Sequence, residues 1–175
     1  MSGSNLKQRI TFLAMLSVLL AACDLIGPDV WQQRRAEMER QRAIWEQRGV
    51  HDYVFTLNRS CGECLANASQ IVFIVRIRVE ADTVRSATYA TTGEPVPQEY
   101  AVLLSTIDDL FDGIAASIDD RPYRFRVEYD PADGYPTSWY VDPIKTAIDD
   151  EHGMTVSDLV PLCTTCLETA DRAKP

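Results

Sequence analysis

Tyr123-Arg124-Phe125-Arg126-Val127-Glu128-Tyr129 alternates apolar and charged residues without a break, and Asp130-Pro131-Ala132-Asp133-Gly134 follows it directly. A period of two marks a strand with one buried and one wet face. Tyr123, Phe125, Val127 and Tyr129 are expected on one side, and Arg124, Arg126 and Glu128 on the other. The next five residues carry turn chemistry. Pro131 pre-sets one backbone angle, and Gly134 permits a positive φ. Thr137 to Val141 returns as a second strand. Strand, tight turn and strand make an antiparallel hairpin, and the rest of the chain is read outward from it.

Upstream, the same period recurs. Tyr53, Phe55 and Leu57 alternate with Val54 and Thr56, and Ile71, Phe73, Val75, Ile77 and Val79 define a longer strand. Glu80-Ala81-Asp82 turns into a third strand, Thr83 to Tyr89, before a loop holding Gly93, Pro95 and Pro97. Between loop and hairpin the period becomes helical: Tyr100, Leu103, Leu104, Ile107, Leu110, Phe111, Ile114 and Ile118 fall at three-and-four spacing. Asp108, Asp109 and Asp112 take the wet side, and Ser105 followed by Asp108 offers a cap for a later start. Val30 to Arg48, rich in Gln, Arg and Glu, reads as a first helix. Trp31, Met38 and Trp45 form its narrow stripe, Asp29 is a candidate N-cap and Gly49 a candidate stop. Downstream, Ile144 and Ile148 suggest a helical turn, and Met154, Val156 and Leu159 to Leu162 a last strand. The order α-β-β-β-α-β-β-β predicts an α+β fold. Its sheet is mainly antiparallel, of five or six strands, with the N-terminal helix and a central amphipathic helix packed on one face.

The N-terminus points to export. Lys7 and Arg9 precede an apolar run from Ile10 to Ala22, too short to span a bilayer comfortably. A positive start, a short apolar run and small residues before a cut site read as a signal peptide. Leu20-Ala21-Ala22-Cys23 resembles the lipobox of bacterial lipoproteins. That resemblance implies cleavage before Cys23, a diacylglycerol on its sulfur and acylation of its new amine. Several acyl chains hold a protein at a membrane where one does not. The expected organisation is a lipoprotein signal peptide over 1–22, a lipidated tether over 23–29, and a single α+β domain over 30–175 with a cysteine-bearing tail. Asp24 resembles an inner-membrane retention signal.

Removing residues 1–22 takes away two basic residues and no acid, leaving 15 basic against 26 acidic residues and a net charge of −11. Such a domain repels nucleic acid at long range, so no nucleic-acid partner is expected. The expected partners are the bilayer, through acylated Cys23, and an envelope protein.

Trp45, Tyr53-x-Phe55-x-Leu57, Cys61 with Cys64, Ile107-x-x-Leu110-Phe111 and Tyr129-Asp130-Pro131-Ala132-Asp133-Gly134-Tyr135-Pro136-Thr137 together resemble one group of bacterial lipoprotein domains. The likeness covers roughly residues 40–160, most of the exported part by the usual size of such units. That group is a domain family of unknown function. The resemblance implies an envelope location and a compact α+β fold, and it brings no catalytic residues. Cys163 and Cys166 are additions to the common pattern.

Besides Cys23, the cysteines form two CxxC pairs, Cys61/Cys64 and Cys163/Cys166. Beyond a secretion signal an even number usually means disulfides. A four-cysteine zinc site and redox catalysis stand as alternatives, although a reactive cysteine wants a helix N-terminus and no helical pattern follows Cys64. A cross-link such as Cys61 to Cys163 would close a loop of about 100 residues and add about 4.7 kcal/mol in the chain-entropy model. Haem attachment needs a histidine after the second cysteine, where Leu65 and Leu167 stand.

Charged clusters complete the reading. Asp108-Asp109-x-x-Asp112, Asp149-Asp150-Glu151 and Asp130…Asp133 lack the alternating ligand spacing of a calcium loop and read as solvated acids and a turn. His51 and His152 are the only histidines, and no nucleophile elbow or phosphate loop accompanies them. Arg76, Arg78, Arg124 and Arg126 share the outward phase of their strands and form a candidate anion-binding face, with Glu80 and Glu128 placed to neutralise it. The arginines of the first helix, Arg34, Arg35, Arg40, Arg42 and Arg48, either approach lipid headgroups or face water while Trp45 docks on the sheet. The leading function is a membrane-anchored, non-catalytic binding or scaffolding domain in the envelope, without cofactor or metal. A thiol-dependent role and a hydrolase with an unrecognised site follow.

Overall fold

Alternating strands can bury only one face, and the helices supply the cover. The computed structural model describes residues 29–61, 73–147 and 150–162. Helix α1 spans Val30–Arg48, followed by β1 (Tyr53–Cys61), β2 (Phe73–Glu80) and β3 (Thr83–Tyr89). A 3-10 turn at Gln98–Leu103 leads to helix α2 (Ile107–Asp120). The hairpin that opened the reading is β4 (Arg124–Tyr129) and β5 (Pro136–Asp142), and β6 (His152–Pro161) comes last. The chain divides into two units, Met1–Gln33 and Arg34–Pro175. In the first, the described residues are 29–33, where Asp29 caps α1 by accepting from the Trp31 and Gln32 amides at 2.7 and 2.9 Å.

The six strands form one sheet in the order β3-β2-β1-β6-β5-β4, every neighbour antiparallel. Two hairpins make the wings, and β6 fills the slot between β1 and β5. Register brings apolar partners together on one face: Leu57 lies opposite both Val75 and Val156, Phe55 opposite Ile77, and Trp139 opposite Met154. Over them lie Ile107, Leu110, Phe111, Ile114 and Ile118 of α2 and Met38 and Trp45 of α1, all buried. Burying each large apolar side chain contributes about 1.5–3 kcal/mol. The Trp45 indole meets Tyr53 edge-on at 5.4 Å and Tyr135 at 6.1 Å, which docks α1 against both β1 and the β4–β5 turn. The expected docking of Trp45 is thus observed.

Two glycines are set by close approach. A Cβ on Gly113 in α2 would lie 2.7 Å from the Trp139 ring. Gly134 has φ +78°, and a Cβ there would lie 2.5 Å from the Gln41 carbonyl oxygen of α1. The turn residue expected for its backbone freedom is therefore also a packing residue.

Four local expectations are corrected. The apolar run from Tyr100 is not one helix: a 3-10 turn ends at Leu103, and α2 starts afresh at Ile107. The cap is Thr106 with Asp109, one residue beyond the expected Ser105 and Asp108. Thr106 accepts from the Asp109 amide at 3.1 Å, and the Asp109 carboxylate takes the Thr106 amide at 2.8 Å. This reciprocal box fixes Thr106 in an extended conformation that interrupts the helical run. Tyr123 precedes β4 and is 44% exposed rather than inward. Ile144 opens a hydrogen-bonded turn, Ala147 N–H to Ile144 O at 3.1 Å, and no helix follows among the described residues. Ile71, Ile148 and Asp149 lie outside the described residues.

Candidate functional site

The chain treats the two ends of its sheet differently. The outer edge of β3 is covered at its C-terminal end: Tyr89 N–H donates to Glu94 O at 2.9 Å, Val96 N–H to Ala87 O at 3.0 Å, and Thr88 bridges to Pro95. No such cover lies along β4 among the described residues. Tyr123 N–H donates to Pro143 O at 3.2 Å, which fixes the phase of the β4–β5 ladder. Residues 123, 125 and 127 then point their backbone groups at β5. Arg124 and Arg126 point theirs at the open edge.

A cleft of about 570 Å³ lies here, lined by Arg34, Tyr123, Arg124, Phe125, Arg126 and Tyr140. Arg126 and Tyr140 are cross-strand partners and share the outer face of the sheet. Phe125, on the opposite face by alternation, carries the Arg34 guanidinium of α1 over its ring at 5.2 Å. The Tyr123 ring has two cations near it, the Arg124 guanidinium at 5.2 Å and the Lys145 ammonium at 5.5 Å. The Arg124–Asp142 pair is long, at 3.8 Å, and Arg126 has no ion pair among the described residues. Hydrogen bonding to Tyr123, and then the Asp142 charge, hold Arg124 above the ordinary guanidinium value, so it stays cationic. Guanidinium groups with aromatic faces beside them suit a planar anion such as carboxylate.

The expected four-arginine face separates into two pairs. β1, β6 and β5 stand between β2 and β4. At about 4.8 Å per strand, Arg76 and Arg78 lie about 19 Å from Arg124 and Arg126. Arg78 is engaged with Glu80 at 2.7 Å, within its own strand, while Glu128 makes no ion pair among the described residues. Arg34 joins the cleft in place of the β2 pair. Its signal was present: it stands four residues before buried Met38, a cation on the docking stripe of a helix.

The other α1 arginines each have a carboxylate partner in the domain. Arg35 binds Asp119 and the Ala115 carbonyl, Arg42 binds Asp112 at 2.7 Å and Glu46 at 3.2 Å, Arg48 binds Asp133 at 2.9 Å, and Arg40 binds Glu37. The acidic clusters have corresponding local roles. Asp109 caps α2, Asp112 and Asp119 meet α1, and Asp130 accepts from the Ala132 and Asp133 amides at 2.9 and 2.8 Å. Among the described residues no three His, Cys, Asp or Glu side chains are grouped to hold a metal. His51 pairs with exposed Asp82 at 2.9 Å, and His152 packs edge-on against Trp139 at 6.1 Å.

On the helix side of β1, Arg59 is largely buried, and burial holds its pKa below the ordinary value. It donates to Ser105 Oγ at 3.2 Å, and its Nε has no hydrogen bond. The Tyr53 hydroxyl accepts from the Ile107 amide at 3.0 Å, one of the free N–H groups at the start of α2. Burial pushes the Tyr53 and Tyr129 phenols well above their usual value.

Cys23, Cys64, Cys163 and Cys166 lie outside the described residues. Cys61 ends β1 opposite His152. Leu162 N–H donates to Asp52 O at 2.8 Å, at the other end of β1. The expected Cys61–Cys163 cross-link falls on Cys163, outside the described residues.

The architecture is that of a small α+β domain with an open antiparallel sheet. Residues 37–161 match a family of unknown function, DUF6174, and the chain belongs to that family. No curated protein and no solved structure matches the chain. No helix among the described residues is long and apolar enough to cross a membrane.

Proposed function

We propose that this protein is a membrane-anchored lipoprotein of the bacterial envelope whose domain binds an anionic group without transforming it. The lipobox-like Leu20-Ala21-Ala22-Cys23 supports the anchor. The cleft at β4 carries the binding reading: three arginines and three aromatic residues converge there on a chain whose net charge is −9. Most other arginines of α1 are matched to carboxylates, whereas on β4 Arg124 has only a long ion pair and Arg126 none among the described residues. No nucleophile with an oriented base accompanies them among the lining residues, which favours binding over hydrolysis.

Two measurements test this. In a bacterial host, labelled palmitate enters the protein and Cys23→Ala abolishes the label. Unlabelled wild type would remove the anchor from the reading. Titration with glutarate, a free dicarboxylate, shifts the backbone resonances of Arg124 and Arg126, and Arg126→Glu removes the effect. Shifts confined to other strands would remove the cleft.

A further inference from the structure

The cleft follows a strand whose outward backbone groups, at Arg124 and Arg126, have no partner among the described residues. The β3 edge is closed along Ala87–Tyr89 by residues 94–96, whereas the backbone of Arg124 and Arg126 faces outward at β4. Exposed edges are normally covered, bulged or guarded by charge, because they recruit further strands. Here the edge-facing residues are Arg124, Arg126 and Glu128, and the two that line the cleft are both positive.

We infer that β4 accepts an extended acidic segment of a partner protein as a seventh strand, an inference that rests on the anion-binding reading of the cleft. Main-chain bonds from a guest strand to Arg124 and Arg126 would supply affinity that does not depend on sequence. Side chains of the guest alternate between faces. Those on the outer face meet Arg124 and Arg126, with Tyr140 behind them. Those on the other face meet Phe125 and the Arg34 guanidinium above it. Carboxylates on the outer side are therefore complementary, and a basic strand is repelled. Antiparallel pairing of two β4 strands about Arg126 would set that arginine against its equivalent and Arg124 against the second copy's Glu128, so a second copy lacks the uniform negative charge that the cleft favours; dimerisation that depends on Arg126, without peptide binding, overturns the inference.

The test uses the purified protein and a fluorescent peptide alternating valine and glutamate, followed by anisotropy. Binding is expected, and a lysine version is expected to fail. Methylating the peptide amides that face β4 should weaken binding about tenfold or more, because each removes a ladder bond. Arg126→Pro and Arg126→Ala lose the same charge, but only proline also loses the outward N–H, on the side where an edge strand tolerates it. The proline variant, with its fold checked by circular dichroism, should bind at least several-fold more weakly than the alanine variant. Arg76→Glu on β2 should leave binding unchanged. Equal binding by the methylated peptide, or equal binding by the two Arg126 variants, overturns strand addition. Glutarate binding at the cleft without peptide binding also overturns it and leaves the anion-binding reading intact. Failure of both ligands removes both. Arginine-dependent binding to vesicles of anionic lipid, with no peptide binding, assigns the surface to lipid and overturns the inference.

Discussion

Replacing Gly134 with alanine should separate two costs that glycines often combine. Gly49, Gly93 and Gly134 all have positive φ, at +60°, +73° and +78°. An alanine at any of them costs about 1–2 kcal/mol for the left-handed region. A Cβ on Gly49 or Gly93 meets nothing within 4 Å, so the conformational cost is the whole of it. At Gly134 the new atom would lie 2.5 Å from the Gln41 carbonyl and 2.9 Å from the Ile44 Cβ. The carbonyl belongs to the backbone of a helix fixed on either side by buried Met38 and Trp45, so it cannot step aside. The turn must lift from α1 instead, which adds about 1–3 kcal/mol on the scale of core overpacking. Gly134→Ala should therefore destabilise by about 2–5 kcal/mol, against about 1–2 for Gly93→Ala. Urea unfolding reads the difference, with slopes of about 1–3 kcal/mol per M expected for a domain of this size. With central values of about 2 kcal/mol and about 2 kcal/mol per M, the midpoint should fall by about 1 M beyond that of Gly93→Ala. Equal midpoints for the two variants would mean that the β4–β5 turn does not rest on α1, and the argument for how that helix is held would fail.

Other perturbations address the remaining links. Tyr53→Phe keeps the ring but strands the buried Ile107 N–H, costing about 1–3 kcal/mol in the same urea assay, and an unchanged midpoint would deny that bond. The Tyr53 and Tyr129 phenols have raised pKa values when folded, so their contribution is complete below the unfolded value of about 10 and is lost as the pH climbs above it. Stability should therefore drop as the pH rises through about 10 and beyond, less steeply in Tyr53→Phe; flat midpoints up to about pH 11 would contradict the burial of both. Gly113→Ala gains about 1 kcal/mol of helix propensity but presses on Trp139, so it should be neutral to destabilising by about 2 kcal/mol, and clear stabilisation would show that the indole yields.

Local chemistry was legible in the sequence because it is encoded at short range. The period of two in Tyr123–Tyr129 marked a strand, Asp29 and Gly49 bounded a helix, and Pro131 to Gly134 made a turn. The cap expected at Ser105 falls one residue on, at Thr106, because there the hydroxyl closes a box with the Asp109 carboxylate. Which strands became neighbours was decided elsewhere. An alternating pattern states which face is buried and says nothing about lateral order, since that order follows from contacts far apart in the chain. The insertion of β6 between β1 and β5 parted Arg76 and Arg78 from Arg124 and Arg126, and it sent Cys61 and Leu162 to opposite ends of one strand pair. Docking of α1 then brought Arg34 to Phe125, across the gap between the first helix and the fourth strand. Most strands and both helices were legible from neighbours a few residues apart; the arginine-lined cleft exists only after non-local packing has chosen which strand is last.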